Sequence, residues 1–282
     1  MTPGARIQAT VTLLASIEAG DEPADAVIGH WARGNRYAGS GDRREIRRLV
    51  YGVIRRRRQL EWWLERNDAA ATPRGLVIAF LLRVDDWTME QLAAAFAGIQ
   101  YGPEPMTPDE ARIAQSLVGG AIDDDAQPQS VRLNLPDWIA PLLAESFGPE
   151  FEAEAGALAG EASVDLRVNT LKATRALAME ALAADGLDAR PTPYAPDGLR
   201  LGRRAQLTAA RAWRDGLVEV QDEGSQLVAL LTDARPGQSV VDFCAGAGGK
   251  ALALAAAMEN RGRIVACDLS ESRLRRLRST RL

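Results

Sequence analysis

The sequence has few of the side chains that usually hold metal ions. Of 282 residues, two are cysteines (Cys244 and Cys267) and one is a histidine (His30). These are too few for a metal site with the usual ligand spacing, so we expect no bound metal. No apolar run approaches the ~20 residues of a membrane helix, and residues 1–20 lack the pattern of a signal peptide. We therefore expect a cytoplasmic, monomeric protein without a membrane partner.

Lysine is also scarce, because Lys172 and Lys250 are the two lysines and nearly all positive charge is arginine. The formal net charge of −4 argues against a molecule that is basic overall. Arginines nevertheless cluster within residues 43–58, a pattern typical both of a solvated helix face and of a surface that contacts phosphates. The candidate RNA-binding residues are Arg43, Arg44, Arg47, Arg48, Arg55, Arg56, Arg57 and Arg58.

Residues 1–127 are predicted to form an all-α domain. Apolar residues recur at helical spacing at Ile46, Leu49, Val50 and Val53, and Asp42 is predicted to cap that helix. Further helices are predicted over 73–84, 88–97 and 107–119. The polar, acidic stretch 121–129 is predicted to be a linker.

Residues 128–235 are predicted to form a small α+β module. Two helices, 136–147 and 149–162, each begin with a proline. From residue 163 apolar and polar residues alternate, which indicates a half-buried strand. A helix over 174–184 and short strands over 187–190, 198–201 and 216–220 complete the predicted module.

Residues 236–282 begin like a Rossmann-like nucleotide-binding unit. A short apolar strand ends in Asp242, a glycine cluster follows, and a helix is predicted over 251–258. A second strand, 263–268, ends in Asp268, where an acid is placed to accept hydrogen bonds from ribose hydroxyls. Two strands cannot cover both faces of a parallel sheet, so we expect this domain to be cut short.

The glycine cluster is compatible with more than one ligand. A phosphate-binding Walker loop fails at two positions, because Cys244 stands where the first glycine belongs and Ala251 replaces the hydroxyl residue. The pattern from Gly246 to Ala251 satisfies the short dinucleotide motif, which leaves an NAD-dependent oxidoreductase as an alternative. An S-adenosylmethionine loop is the third possibility.

Four segments resemble the RsmB-like (Fmu/Sun) RNA cytosine-5 methyltransferases. Residues 242–250, DFCAGAGGK, resemble that family's D-x-C-A-x-P-G-G-K-T motif. Residues 220–227 resemble its V-Q-D-x-x-S-Q-L segment, 166–170 its L-R-V-N element and 136–139 its P-x-W segment. All four lie in family order, and the helical N-terminal domain is similar to the NusB-like RNA-binding domain of some members.

The resemblance implies S-adenosyl-L-methionine as cofactor and RNA, ribosomal by expectation, as partner. The cofactor-binding residues that it implies are Cys244, Ala245, Gly246, Ala247, Gly248, Gly249, Lys250 and Asp268. Two departures are mild: Ala247 replaces the family's proline, and Ala251 its threonine.

The resemblance also implies that the catalytic residues lie elsewhere. The family's two catalytic cysteines belong to later P-C and T-C motifs, which this sequence does not contain. Cys244 belongs to the cofactor loop, and Cys267 to the second strand, where we expect a small buried residue. We therefore predict no catalytic residue in this chain and no activity of this chain alone. A non-enzymatic RNA-binding protein is the alternative from another class.

Overall fold

A computed structural model describes residues 1–202 and 207–277. These residues fall into two compact units that divide between Gly160 and Glu161. In the part of the chain that the structure describes, no helix is both long and apolar enough to cross a membrane. Each unit has its own hydrophobic core, so each is described by itself.

The first unit is helical. Its helices are α1 (Pro3–Ala19), α2 (Ala24–Gly34), α3 (Ser40–Arg55), α4 (Arg57–Glu65), α5 (Pro73–Arg83), α6 (Met89–Ala95), α7 (Pro108–Leu117), α8 (Gln129–Arg132), α9 (Ala140–Phe147) and α10 (Phe151–Ala159). The core centres on α5, whose residues 76–83 are all buried. A helix that is apolar on every side is stable in water only when other helices surround it, and α1, α3, α4 and α7 pack around this one.

Threonine side chains begin several of these helices. The hydroxyl oxygens of Thr2, Thr72, Thr88 and Thr107 accept hydrogen bonds from main-chain N–H groups in the first turns of α1, α5, α6 and α7. Each bond satisfies a donor that the helix itself leaves free. These local signals explain why the predicted helices 73–84, 88–97 and 107–119 agree closely with α5, α6 and α7.

The predicted role of Asp42 is wrong. Helix α3 is capped by Gly39, and Asp42 lies in its first turn. The Asp42 carboxylate accepts a hydrogen bond from the Gly39 N–H at 3.1 Å and lies 3.4 Å from Nε of Arg6 in α1. Asp42 therefore stabilises the start of α3 from inside the helix and joins it to α1.

The predicted linker 121–129 is not a free spacer. The indole N–H of Trp63 donates to the carbonyl of Ile122 at 2.8 Å, and Nε2 of Gln59 donates to Asp123 at 2.6 Å. Gln127 is buried and donates to the same Ile122 carbonyl. The acidic composition suggested a solvated segment, but these contacts attach it to α4.

The first unit also extends beyond the predicted domain boundary at residue 127. Arg58 of α4 donates to the carbonyl of Leu135 and to both carboxylate oxygens of Asp137. Asn134 donates to Oε1 of Gln59 at 2.7 Å. These bonds place residues 128–160 with the helical unit, whereas the three-domain division and the NusB-like assignment remain predictions.

The second unit contains two sheets. Its elements are β1 (Asp165–Val168), α11 (Arg175–Ala184), β2 (Ala189–Pro191), β3 (Gly198–Leu201), a 3-10 turn (Leu207–Ala209), α12 (Arg211–Arg214), β4 (Val218–Val220), α13 (Glu223–Leu231), β5 (Ser239–Asp242), α14 (Gly249–Ala257), β6 (Arg263–Ala266) and α15 (Glu271–Leu277). Strands β2-β3-β1-β4 form an antiparallel sheet, and β5 pairs with β6 in parallel. An antiparallel sheet with helices and the predicted β–turn–α–β order are both present, although residues 128–160 of the predicted α+β module lie in the first unit.

A buried carboxylate joins the antiparallel sheet to α13. Both oxygens of Asp165 in β1 accept hydrogen bonds from Arg200 in β3, at 2.7 and 2.8 Å. Asp165 Oδ2 also accepts the main-chain N–H of Glu223, the first residue of α13, at 3.2 Å. The Glu223 carboxylate in turn accepts the N–H groups of Tyr194 and Ala195. Asp222 caps α13 by accepting the Ser225 N–H at 2.8 Å, and the bonds of Asp165 and Glu223 attach this helix start to the sheet.

We predict that Asp165 contributes strongly to stability. Replacing Asp165 by Ala removes two charge-assisted hydrogen bonds of the half-buried Arg200 and leaves Glu223, 3.5 Å away, as its remaining acidic partner. The free energy of unfolding should fall by about 2 kcal/mol. The Arg200 hydrogen bonds also hold the pKa of Asp165 below its ordinary value. This contribution is therefore fully present above the unfolded carboxyl pKa, near 3.9, and is lost as the pH falls through the folded pKa.

Urea unfolding between pH 7 and pH 3 measures both effects. The matched control is Asp233→Ala, which removes the exposed ion pair between Asp233 and Arg235 and should change stability by less than about 1 kcal/mol. Equal losses in the two variants, or a loss in Asp165→Ala that does not shrink on acidification, would contradict the assignment.

Candidate functional site

The candidate site is the turn between β5 and α14, closed by main-chain hydrogen bonds to the end of β6. The Cys267 N–H donates to the carbonyl of Asp242, and the Ala245 N–H donates to the carbonyl of Cys267, both at 2.8 Å. The parallel pairing of β5 and β6 is thereby continued into the turn. The two predicted halves of the site, the glycine cluster and the segment that ends in Asp268, are adjacent in the structure.

Two glycines give the turn its shape. Gly246 has φ +57°, and Gly248, the residue before α14, has φ +92°. Side-chain-bearing residues rarely adopt these values, whereas glycine does so at little cost. A methyl group at Gly248 would lie 1.9 Å from Cδ1 of Leu277, but one at Gly246 would meet nothing within 4 Å. Gly248 is therefore required for packing as well as for backbone conformation, and Gly246 leaves open space beside the turn.

Asp268 holds the turn from the side of β6. Its Oδ2 accepts the Gly246 N–H and its Oδ1 accepts the Ser270 N–H, each at 2.8 Å. Hydrogen bonds from Ser270 and Gly246 lower the pKa of Asp268, so the carboxylate is ionised at neutral pH. A carboxylate offers about four acceptor positions, so two remain for other donors. Asp268 is thus oriented rigidly and is still able to bind hydroxyl groups.

A cavity of about 380 Å³ lies on the α13 side of the turn. This volume falls within the ~300–1,000 Å³ range of small-molecule sites. Asp268 and Gly246 do not line it. The lining residues are Ser163, Val164, Asp165, Val220, Gln221, Asp222, Ser225, Ala245, Gly249 and Lys250. The cavity therefore joins the antiparallel sheet to the start of α14.

Two buried polar groups at this site have unused hydrogen-bonding capacity. Nε2 of Gln221 and Oδ2 of Asp242 have no hydrogen-bond partner within residues 1–202 and 207–277. Gln221 is held by Arg167, whose Nε donates to its Oε1 at 2.8 Å. Burying such groups without partners costs about 1–3 kcal/mol each, which favours a polar ligand beside them.

Sequence reasoning left Asp242, Gln221, Asp222 and Ser225 out of the candidate site. Asp242 was visible as the acid that ends β5, and the other three belong to the segment 220–227 that carries part of the family resemblance. The signals were present, but the contact between that segment and the glycine turn arises from tertiary structure. Gln221 lies against Gly249, where an added methyl group would be 3.7 Å from its Nε2.

The two cysteines are less buried than we expected. Cys244 is exposed and Cys267 is half-buried. Both are neighbours of the turn, but within the described residues the two-stranded sheet is open to solvent, and Val241 is 62% exposed. The expectation of a buried Cys267 was wrong because it assumed a sheet covered on both faces.

Six of the eight arginines in residues 43–58 fall into two groups, and the other two, Arg43 and Arg55, are half-buried. Arg48 bonds Glu45 and Asp85, Arg57 bonds Glu18 and Glu61, and Arg58 bonds Asp137. In contrast, the guanidinium groups of three exposed arginines take part in no ion pair or hydrogen bond with the described residues. These are Arg44, Arg47 and Arg56. The available cationic surface is thus smaller than the sequence suggested.

The fold and the turn together resemble an α/β nucleotide-binding unit, which follows an antiparallel sheet with helices. Two family models match this part of the chain: an RsmF/B-like methyltransferase ferredoxin-like domain over residues 135–208, and 16S rRNA methyltransferase RsmB/F over residues 229–282. Over both matched segments the chain is similar to the RsmB-like methyltransferases.

Individual relatives agree with this assignment. The chain is 28% identical over 260 residues to a probable ribosomal RNA small subunit methyltransferase B of Synechocystis, covering 85% of this chain and 58% of the relative. It is 34% identical over 148 residues to the Pseudomonas putida ribosomal RNA small subunit methyltransferase B, covering 52% of this chain and 34% of the relative. The chain therefore spans little more than half the length of the first of these proteins.

A solved structure shares the fold. The match to the crystal structure of PH0851 covers 98% of this chain and 66% of the PH0851 chain, with a TM-score of 0.69 at 19% sequence identity. At this identity the likeness concerns the fold alone.

We predict unequal effects of alanine at the two turn glycines. Gly246→Ala should cost about 1 kcal/mol for a left-handed backbone, and Gly248→Ala about 2 kcal/mol or more because the methyl group also displaces Leu277. Urea unfolding of the two variants provides the comparison, with Gly246→Ala as the matched control. A smaller loss at Gly248 than at Gly246 would contradict the packing described for this turn.

Proposed function

We propose that this chain is part of an S-adenosyl-L-methionine-dependent RNA cytosine-5 methyltransferase, with ribosomal RNA as substrate. The observation that carries the proposal is the turn in which Asp268 binds the Gly246 N–H while keeping free acceptor positions. Similarity to the RsmB-like methyltransferases supports it, as do the names of the relatives, which are ribosomal RNA methyltransferases. A ribosomal RNA substrate also supports a cytoplasmic location.

The residues of the turn fit this cofactor. Gly246 and Gly248 let the main chain approach a ligand closely, and the ionised Asp268 is suited to accept hydrogen bonds from the two ribose hydroxyls. Asp242 and Gln221 supply a buried acceptor and a buried donor that lack partners. We propose that the loop Cys244–Lys250 and Asp268 bind the cofactor, with Asp242 as an addition to that set.

When bound, the cofactor supplies an electrophilic methyl group. Carbon 5 of cytosine is a poor nucleophile unaided, so the reaction needs covalent activation of the base by a thiol. We assign this role to neither cysteine of the chain, because Cys244 lies on the cofactor turn and Cys267 at the end of β6. The base must approach the methyl group from the side opposite the cofactor for in-line transfer. We therefore propose that residues 1–282 bind ligands but do not transfer the methyl group alone.

The RNA contacts that we propose in the first unit are the unpaired arginines. Arg44, Arg47 and Arg56 are exposed, and their guanidinium groups form no ion pair or hydrogen bond with the described residues, although Glu45 lies close enough to interact electrostatically with Arg44. Arg48, Arg57 and Arg58 contribute mainly to intramolecular ion pairs. We therefore propose these three as the main phosphate contacts among the eight candidates, since Arg43 and Arg55 are half-buried.

We predict that Asp268→Ala weakens binding of S-adenosylhomocysteine by about 10-fold or more, because hydrogen bonds to a charged acceptor contribute ~1.5–3 kcal/mol each. Calorimetry should be repeated with the 2′,3′-dideoxy analogue, which lacks the ribose hydroxyls. If Asp268 binds the ribose, the variant and the wild type should bind the analogue almost equally.

Comparing the two ligands in the variant and in the wild type separates direct ribose binding by Asp268 from its support of the turn. An equal loss with both ligands would show that Asp268 acts only through Gly246 and Ser270, and would defeat the ribose assignment. Binding of NAD in place of S-adenosylhomocysteine would overturn the proposed cofactor and favour an oxidoreductase.

We predict that Arg47→Glu reduces the salt dependence of RNA binding. Each lost phosphate contact should lower the slope of log affinity against log salt by about 0.7–0.9. The matched control is Arg112→Glu, an equally large charge change at an exposed position on α7. Filter binding at several salt concentrations gives the slopes. Identical slopes in the two variants would remove Arg47 from the RNA surface.

A further inference from the structure

Two exposed tyrosines lie at one end of the helical unit, and neither belongs to the core. The side chain of Tyr37, in the loop before α3, is 72% exposed, and that of Tyr101, in the loop after α6, is 77% exposed. An exposed aromatic ring gains little from hydrophobic burial, so folding does not account for either residue.

The backbone of Tyr101 gives an independent reason to look for a function. Tyr101 has φ +67°, in the left-handed region where a bulky side chain is strained. Its neighbour Gly102 makes a tight turn in which the Gly102 N–H donates to the carbonyl of Ile99 at 2.7 Å. A glycine at position 101 would relieve the strain and lose no buried contact. Strain retained around an exposed side chain points to a binding role.

Contacts with the first turn of α1 bring the two tyrosine loops to the same end of the unit. A methyl group at Gly4 would lie 2.6 Å from the carbonyl oxygen of Ala95 and 3.5 Å from Pro103, beside the Tyr101 turn. Arg6 of the same helical turn lies 3.4 Å from Asp42 in the first turn of α3, which follows the Tyr37 loop. Both tyrosines therefore flank the start of α1.

The charges around Tyr37 favour a polyanion. Arg33 and Arg36 are exposed on its N-terminal side, and Arg44 and Arg47 on its C-terminal side. The nearby acids Asp42 and Glu45 already bind arginines, Arg6 and Arg48. On the Tyr101 loop the exposed acid is Glu104, a group able to accept hydrogen bonds from base amino groups.

We propose that this end of the helical unit binds unpaired RNA bases, which stack on Tyr37 and Tyr101 while the arginines contact the phosphates. The proposal rests on the proposed RNA substrate and deepens it by naming single-stranded RNA as the class recognised here. Aromatic rings beside a cationic track are the usual platform for single strands, because every base has a face that can stack. A paired helix exposes no such faces.

The test uses the whole chain and a single-stranded RNA of roughly 12 nucleotides that contains 2-aminopurine, with the duplex of the same sequence as comparison. Tyr37→Ala and Tyr101→Gly should each weaken binding of the single strand by about 5- to 100-fold, and Tyr37→Phe and Tyr101→Phe should retain it. Quenching of 2-aminopurine fluorescence on binding should diminish in the weakened variants.

Tyr101→Gly distinguishes binding from structure. Because glycine relieves the strained backbone, this variant should melt at or above the wild-type temperature while binding RNA more weakly. The matched control is Tyr194→Ala, since Tyr194 in the second unit is 76% exposed; this variant should bind like the wild type.

Several results would overturn the proposal. The first is that Tyr37→Ala and Tyr101→Gly bind the single strand with wild-type affinity. The second is that Tyr194→Ala loses as much affinity for RNA as they do. The third is that the wild type binds the duplex more tightly than the single strand. If the wild type binds RNA and the tyrosine variants match it, this inference fails and the proposed function stands. If the wild type binds no RNA, both fail. A change of sedimentation coefficient in Tyr101→Gly would show that the surface holds a second copy of the chain, which also contradicts the proposal.

Discussion

The candidate site depends on a buried carboxylate that is not part of the glycine turn. Asp165 binds Arg200 across the antiparallel sheet and receives the first N–H group of α13. The start of α13 determines the position of Gln221, which lies against Gly249 at the start of α14. A buried ion pair of this kind adds less to stability than its short distances suggest, because both groups lose hydration. What it provides is one defined position for α13 relative to β1 and β3.

The glycine turn is built mainly from main-chain groups. Its ends are joined by hydrogen bonds between Asp242, Ala245 and Cys267, and its centre is held by Asp268. Such a site needs few particular side chains, so alanine at positions 247 and 251 is compatible with it. The exceptions are Gly246 and Gly248, whose positive φ values exclude most other residues.

In the helical unit, the residues that stabilise the fold differ from those of the proposed binding surface. Its stability comes from the fully buried α5 and from threonine caps at the starts of four helices. Its surface carries features that do not help folding: unpaired arginines on α3 and an exposed tyrosine in a strained conformation. Exposed residues that lower the stability of a fold are often found at binding surfaces.

Much of the secondary structure and the identity of the cofactor turn could be predicted from the sequence, because caps, helical periodicity and strand alternation depend on neighbouring residues. The strand Gly198–Leu201 and the helix α5 show this well. Tertiary structure decided the rest. Arg48 pairs with Asp85 and Arg58 with Asp137, residues far apart in the chain, and no local pattern distinguishes them from the unpaired Arg44 and Arg47. The linker was misjudged for the same reason, since Trp63 and Gln59 bind it from another helix. Local sequence determines which element forms, whereas the partners of a charged or polar side chain depend on what the folded chain brings beside it.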